Sequence, residues 1–153
     1  MKQDKIICVT NSASQTKKLG FLLAKMILEC RPGKTARVLA LRGELGAGKT
    51  NFVQGFAKEL GIKAAITSPT FSIIKKYPIG SDTGFKTFCH IDCYRLDNAK
   101  DLAQLGFADL ASDLSNIIAV EWPEIAKDIL PKDFLKVEFE VVGQNSRRIV
   151  FNF

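Results

Sequence analysis

The chain has 153 residues, of which 46% are hydrophobic and 25% are charged, and its formal net charge is +6. This composition is that of an ordinary globular protein and excludes a disordered or fibrous chain. We expect one domain over residues 1–153, since a chain of this length should bury roughly 70% of its unfolded surface in one core. The positive charge favours phosphate-rich or acidic partners, but no basic run typical of a nucleic-acid-binding tail is present.

Neither the N-terminal segment nor any later stretch has the apolar length that a signal peptide or a membrane span requires. The sequence therefore predicts a cytoplasmic protein without membrane association. Its four cysteines lack the spacing of a disulfide framework. Free thiols are accordingly expected in a reducing compartment.

The beginning of the chain is predicted to contain a strand and a helix. The strand covers Lys5 to Thr10, and a capping box at Ser12–Gln15 begins the helix. Apolar residues spaced by three and four positions predict a buried helix face consisting of Leu19, Leu22, Leu23, Met26 and Ile27. The segment Arg31-Pro32-Gly33 should end this helix.

A second strand and a second helix flank the most distinctive motif. The apolar run Ala36–Leu41 is followed by "GELGAGKT", and a helix is predicted from Lys49 to Leu60 with Gly61 as its stop. A strand, a glycine-rich loop and a helix in this order are the context in which a phosphate-binding loop works.

The second half of the chain adds further strands. Residues 71–77 and 85–94 are predicted to form a hairpin, 98–105 a helix, and the apolar run "NIIAVEW" a buried strand of a parallel sheet. A final hairpin is predicted over 137–141 and 147–153. Together the elements predict an α/β fold, a three-layer P-loop NTPase domain with a mostly parallel central sheet and antiparallel additions.

The predicted phosphate-binding loop comprises Gly43, Glu44, Leu45, Gly46, Ala47, Gly48, Lys49 and Thr50. Its glycines allow backbone N–H groups to approach a polyphosphate closely. Lys49 would neutralise the β- and γ-phosphates during catalysis, Thr50 would place its hydroxyl on Mg²⁺, and the helix N-terminus would add its positive end. Because the chain lacks the Asn-Lys-x-Asp segment of guanine-specific enzymes, ATP is the expected nucleotide.

Two acidic residues end apolar runs and are candidates for the chemistry. Glu121 follows Ile117–Val120, the position of the acid that meets Mg²⁺ or its water shell beside a phosphate loop. Asp92 ends "FCHID". Since ligands of open α/β sheets bind at the carboxyl ends of the strands, both carboxylates are expected to face one crevice. The alternative for each acid is that it caps the next helix.

The segment "CHIDC" has the residue types of a zinc site but the wrong geometry. On a strand, Cys89 and Cys93 lie on one face while His90 and Asp92 lie on the other, so thiols and imidazole cannot meet at one metal. We expect the two cysteines to pack as small hydrophobic side chains. By the same alternation, Trp122 is predicted on the face opposite Glu121.

Two further segments are candidates for contact with the nucleotide. The threonine- and serine-rich "TSPTF" contains Thr67, Ser68 and Thr70, which could sense a γ-phosphate. In the last strand, Arg147 shares the alternation of its apolar residues, whereas Arg148 does not. Arg147 is therefore predicted to reach toward a phosphate or the ribose, with two solvated turn arginines as the alternative.

Four segments, "GELGAGKT", "SPTF", "HIDCYRL" and "AVEWPE", resemble in this order the TsaE family, small bacterial ATPases of the tRNA threonylcarbamoyladenosine machinery. The resemblance covers nearly the whole chain. Its phosphate loop is shared with many families, whereas the His-x-Asp-x-Tyr-Arg-Leu and Glu-Trp-Pro segments are specific.

The resemblance implies an ATPase that binds the TsaB–TsaD heterodimer and is slow without these partners. Its hydrolysis of ATP would support repeated modification of the adenosine beside the anticodon, and it would meet tRNA only through the complex.

By motif, the loop from Gly43 to Thr50 would hold ATP, Thr50 and Glu121 would serve Mg²⁺, and Asp92 would be the acid needed for activity. The resemblance also places Trp122 in the active region. Asn51 stands where a second threonine is common, and its amide can still donate a hydrogen bond to the α-phosphate.

Two other functions fit the same loop. A small-molecule kinase would need an arginine-bearing lid over the transferred phosphoryl group, and no arginine-rich segment of that kind is visible in the sequence. A nucleotide-dependent binding module with incidental hydrolysis would use the same residues as the ATPase, so the sequence does not separate these two.

Overall fold

The structure is a computed structural model that describes residues 4–69, 71–80 and 82–153. The strands of the described residues are β1 (Lys5–Thr10), β2 (Arg37–Arg42), β3 (Ile74–Pro78), β4 (Thr87–Asp92), β5 (Asn116–Glu121), β6 (Leu135–Val141) and β7 (Arg147–Asn152). The helices are α1 (Ala13–Glu29), α2 (Lys49–Glu59), α3 (Ala99–Gln104) and α4 (Phe107–Ser112), with a 3₁₀ turn at Pro123–Ala126. The sequence patterns had not indicated α4.

The strands form one sheet with the order β1-β7-β6-β2-β5-β4-β3. Strands β6, β2, β5 and β4 are parallel neighbours at its centre. Both predicted hairpins are present, as β3–β4 and β6–β7, and β1 adds an antiparallel edge. The predicted α/β fold with a parallel centre and antiparallel additions is confirmed.

Alternate residues of the strands pack into two separate cores. Leu39 and Leu41 face the core beneath α1 and α2. Val38 faces the core beneath α3 and α4, and so do Cys89 and Cys93. Because β-strand side chains alternate between faces, the sheet is the middle of three layers.

Helices α1 and α2 lie in direct backbone contact. A Cβ atom built at Gly20 would lie 2.0 Å from the carbonyl oxygen of Phe52, and one built at Gly55 would lie 1.8 Å from that of Lys17. Only glycine allows such an approach, since a methyl group would overlap the opposing backbone.

The predicted apolar face of α1 is therefore partly wrong. The buried face of α1 consists mainly of small residues, with Thr16, Gly20 and Ala24 buried beside Leu23. Leu22 and Met26 are instead exposed, with 44% and 53% of their surface accessible. The close approach at the glycines selects the face that α2 covers, and counting apolar residues does not reveal it.

The capping box at the start of α1 is displaced by one residue. The Ser12 hydroxyl accepts a hydrogen bond from the Gln15 N–H at 3.1 Å, as predicted. The Gln15 side chain, however, accepts from the N–H of Asn11 at 2.7 Å. The cap thus ties the end of β1 to the beginning of α1.

Candidate nucleotide site at the carboxyl edge of the sheet

The glycine-rich loop leaves the carboxyl end of β2 and enters α2. Gly46 and Gly48 have φ of 79° and 100°, a left-handed conformation that favours glycine. At Gly43 a Cβ atom would lie 2.9 Å from the Cβ of Phe139, so that position also requires glycine. Gly48 caps α2 without a side chain, which leaves the first N–H groups of the helix available to an anion.

Lys49 occupies the first turn of α2 and is only 6% exposed. Its Nζ donates a hydrogen bond to the Gly43 carbonyl and lies 4.4 Å from the centre of the Trp122 ring. Burial lowers the pKa of this ammonium, and the carboxylates of Glu121, Asp92 and Glu124 partly oppose that shift. Lys49 is thus a desolvated cation surrounded by acids.

The two predicted acids lie side by side. Asp92 ends β4, Glu121 ends β5, and the two residues are register partners across these parallel strands. They are 8% and 3% exposed. The expectation that both carboxylates reach one crevice is confirmed, because both line one cavity at the carboxyl edge of the sheet.

Asp92 is held in one orientation by hydrogen bonds to both of its oxygens. The Ser68 hydroxyl donates to Oδ2 at 2.9 Å, and the N–H of Tyr94 donates to Oδ1 at 2.9 Å. Neither donor is a helix cap, and β4 ends without a helix directly after Asp92. The alternative that Asp92 caps a following helix is excluded.

The cavity has a volume of about 330 Å³ and brings together most of the predicted site. Its lining includes Lys49, Thr50, Asn51, Asp92, Glu121 and Trp122. Leu45, Gly46 and Gly48 contribute the loop side. Gly43 and Glu44 line a neighbouring cavity of about 660 Å³ instead, and the Ala47 side chain is buried in the core.

Arg147 lies against the phosphate loop. Its Nη2 donates to the Gly46 carbonyl at 3.1 Å, and its Nη1 donates to the Ser146 carbonyl at 3.0 Å. Arg148 points to the other face of the sheet and pairs with Glu140 at 3.3 Å. The structure therefore separates the two arginines as alternation predicts.

Trp122 packs partly against the core beneath α3 and α4, the face opposite Glu121, as alternation predicts. Its φ of 54° is left-handed, so the residue no longer continues the strand and its side chain also reaches the edge of the sheet. The indole ring also covers the Lys49 ammonium and packs against Tyr94, with ring centres 5.1 Å apart. Trp122 therefore forms one wall of the same cavity as Glu121.

His90 is a site residue to which sequence reasoning assigned no role. It is fully buried, and its Nε2 lies 2.9 Å from Oε2 of Glu121. The available signal was alternation, which places His90 and Asp92 on the same face of β4. The segregation of Cys89 and Cys93 from His90 is confirmed, and no group of three or more His, Cys, Asp or Glu residues that could hold a metal ion occurs among the described residues.

The threonine-rich segment divides into different roles. Ser68 is bonded to Asp92, whereas Thr67 is exposed and accepts a hydrogen bond from Lys75 at 3.2 Å. Thr70 lies outside the described residues.

Comparison with known proteins identifies relatives of this chain. The family model described as "Threonylcarbamoyl adenosine biosynthesis protein TsaE" matches residues 10–149. A tRNA threonylcarbamoyladenosine biosynthesis protein TsaE from Borreliella burgdorferi is 41% identical over 120 residues, covering 78% of this chain and 82% of that protein. The protein of the same description from Bacillus subtilis is 34% identical over 142 residues, covering 93% and 82%.

A solved structure shares the same architecture. The crystal structure of Bacillus subtilis YdiB superposes with a TM-score of 0.75 at 29% identity, covering 99% of this chain and 86% of the other. Within the residues that the structure describes, no helix has the length and hydropathy of a membrane span. On the family match over most of its length and its relatives' identity, the chain belongs to the TsaE family.

Proposed function

We propose that this chain is a Mg²⁺-dependent ATPase of tRNA threonylcarbamoyladenosine biosynthesis, whose hydrolysis of ATP supports turnover of the TsaB–TsaD pair. The observation that carries the proposal is the meeting of Lys49, Thr50, Asp92 and Glu121 in one cavity. The relatives' descriptions supply the pathway. The protein would act in the cytoplasm and meet tRNA only through its complex.

The phosphate loop suits a polyphosphate chain. Left-handed Gly46 and Gly48 are compatible with inward-pointing N–H groups, and the start of α2 has no side-chain cap to compete with an anion. The Lys49 ammonium has hydrogen-bonding capacity beyond the Gly43 carbonyl. The ammonium would bind the β- and γ-phosphates, and the Trp122 ring would exclude water from one side of this contact.

The oxygen atoms that line the cavity suit a magnesium ion. Mg²⁺ prefers oxygen ligands and keeps several waters, and the Thr50 hydroxyl and the Glu121 carboxylate are the protein oxygens assigned to it. Bound Mg²⁺ would neutralise charge that develops on the phosphates. The second acid, Asp92, adds negative charge that a bound cation would offset together with Lys49.

Asp92 is the group assigned to water. Its carboxylate lines the cavity, and the bonds from Ser68 and Tyr94 fix the plane of its oxygens. An ionised carboxylate in this position would orient a water molecule for attack on the γ-phosphorus and accept its proton, as the new P–O bond forms and the bond to the bridging oxygen of the departing ADP breaks. Asp92 and Glu121 thus have separate tasks in the proposal.

Partner dependence has support in the rim of the cavity. Leu45 and Tyr94 are 92% and 61% exposed while lining the cavity. Large exposed apolar side chains at an active site favour contact with another protein. The same observation favours an ATP-dependent binding module as the second candidate function.

The decisive experiment is phosphate release from ATP with and without purified TsaB–TsaD. The proposal expects slow hydrolysis by the chain alone and a marked increase with the pair, abolished by Lys49→Ala. Hydrolysis that TsaB–TsaD do not change would contradict the partner dependence. ATP-dependent co-purification with the pair without stimulated hydrolysis would favour the binding module, and phosphoryl transfer to an added small molecule would favour a kinase.

A further inference from the structure

The buried imidazole of His90 is not accounted for by the proposed roles of its neighbours. It lies in the middle of β4, is 0% exposed, and packs against the Phe88 ring with ring centres 6.2 Å apart. Its Nε2 lies 2.9 Å from Oε2 of Glu121. A carboxylate oxygen can only accept, so Nε2–H is the donor.

The other ring nitrogen of His90, Nδ1, argues against a role in packing alone. Nδ1 is buried and makes no hydrogen bond within the part of the chain that the structure describes. An unpaired polar atom in a core is destabilising, and a phenyl ring could fill this space without that penalty. Packing alone therefore does not explain a histidine here, whereas the bond to Glu121 does.

Glu121 experiences two electrostatic forces that act on its carboxylate. The ammonium of Lys49 attracts it, and the Asp92 carboxylate, its register partner on the next strand, repels it. The bond from His90 is the one side-chain hydrogen bond of Glu121 among residues 4–69, 71–80 and 82–153. It occupies Oε2 and leaves Oε1 for the cavity that Glu121 lines.

We propose that His90 is a positioning residue that holds the Glu121 carboxylate in the orientation required for Mg²⁺ binding. The inference rests on the proposed function, because it takes Glu121 as the metal-binding acid. His90 itself touches neither the nucleotide nor the ion. It acts by keeping Oε2 bonded in the core, so that Glu121 neither turns toward Lys49 nor moves away from Asp92.

The test compares two variants of His90 by equilibrium binding. His90→Phe keeps a ring against Phe88 but removes the donor, whereas His90→Gln carries an amide N–H in place of Nε2–H. The readout is the Mg²⁺ concentration that half-saturates binding of a fluorescent ATP analogue. Loss of an outer hydrogen-bond partner typically weakens metal binding roughly 10- to 100-fold. His90→Phe should therefore raise the half-saturating Mg²⁺ concentration by about that factor. His90→Gln should raise it much less, because its amide keeps a donor to Glu121.

Two controls separate positioning from general damage. Phe88→Leu removes the ring beside His90 but keeps the Nε2–H donor and its bond to Glu121, so it should lower the melting temperature and leave the Mg²⁺ titration unchanged. In a Glu121→Gln background, His90→Phe should add little to the Mg²⁺ defect, because the carboxylate that it positions is gone. If His90→Phe does not fold, His90→Leu takes its place in both comparisons.

The outcomes distinguish this inference from the proposed function. Mg²⁺-dependent analogue binding that His90→Phe leaves unchanged would overturn the positioning role alone. An equal increase of the half-saturating Mg²⁺ concentration in His90→Phe and His90→Gln would assign His90 to packing and would also overturn the positioning role. A starting protein that binds the analogue with no dependence on Mg²⁺ would overturn the assignment of Glu121 to the metal and the inference with it.

Discussion

Lys49 is a buried cation whose pKa responds to the charges of three carboxylates. Burial lowers the pKa of its ammonium, while Glu121, Asp92 and Glu124 act in the opposite direction. Its present partners are a backbone carbonyl and an indole ring. Both are weaker partners for an ammonium than a phosphate oxygen, so a polyphosphate should take their place readily.

Lys49→Ala should weaken the binding of ATP. Removal of a hydrogen bond to a charged group costs about 1.5–3 kcal/mol, which corresponds to a loss in affinity of roughly 10- to 100-fold. Titration of a fluorescent ATP analogue measures the change. Lys58→Ala is the matched control, since Lys58 is an exposed lysine in the last turn of the same helix. Equal affinities of Lys49→Ala and the starting protein would contradict the assignment of the loop.

Asp92→Asn and Glu121→Gln should produce different defects although the two acids are neighbours. Asp92→Asn keeps the shape that Ser68 and Tyr94 hold but loses the charge that would accept a proton. Turnover should fall about 10²- to 10⁴-fold with ATP still bound.

Glu121→Gln should instead raise the Mg²⁺ concentration that half-saturates nucleotide binding. Superimposable Mg²⁺ titrations of Asp92→Asn and Glu121→Gln would show that the two acids do not have separate roles.

Arg147→Ala should reduce nucleotide affinity, whereas Arg148→Ala should not. The Arg147 guanidinium contacts the loop at the Gly46 carbonyl and can reach a phosphate from there, while Arg148 pairs with exposed Glu140 on the other face. The expected loss is about tenfold, the value of one charge-assisted hydrogen bond. Unchanged affinity in both variants would assign Arg147 to loop support only.

At the scale of elements, the pairing of α1 with α2 positions the phosphate loop. Helix α2 begins at Lys49, and Gly55 halfway along it contacts the backbone of α1. The N-terminus of α1 is in turn tied to β1 through the Ser12 cap. The direction in which α2 presents Lys49 and Thr50 therefore depends on two glycines, Gly20 and Gly55, that do not line the cavity.

Gly55→Ala should destabilise the protein strongly. The added methyl group would overlap the Lys17 carbonyl, and overpacking of this kind costs roughly 1–3 kcal/mol or more. Urea unfolding measures the effect. Gly33→Ala is the control, because its Cβ would meet only the flexible end of Arg37 at 3.7 Å. Equal unfolding midpoints for the two variants would contradict the backbone contact between α1 and α2.

Across the whole molecule, the two cores differ in chemistry as well as in position. Cys89 and Cys93 are sealed beneath α3 and α4, where burial raises the pKa of their thiols to about 11 and about 12. Cys30, at the end of α1, is exposed. The thiols therefore report separately on the surface and on the opening of the core.

Alkylation at about pH 8 should modify Cys30 and spare Cys89 and Cys93, because the thiolate is the reactive form and both buried groups remain protonated well below their raised pKa values. In urea all three should react, which is the control for intrinsic reactivity. Peptide mass spectrometry locates the label. Rapid labelling of Cys93 in the folded protein would contradict the closed second core.

The features set by neighbouring residues could be predicted from the sequence. Strand β2, the glycine loop and α2 follow one another in the chain, so their order alone predicted a glycine-rich turn between a strand and a helix. Alternation along β4 and β7 correctly separated Cys89 from His90 and Arg147 from Arg148. These properties depend on a period of two residues or on glycine geometry, both of which are local.

Only the tertiary structure decided which of these residues meet. The register of β4 beside β5 places Asp92 next to Glu121, and pairing across 31 positions of sequence gives Glu121 its bond to His90. Trp122 leaves the strand geometry to cover Lys49, and the glycines of α1 and α2 select a helix face that apolar spacing does not reveal. Each depends on contacts between segments far apart in the chain, whose energies no local pattern contains.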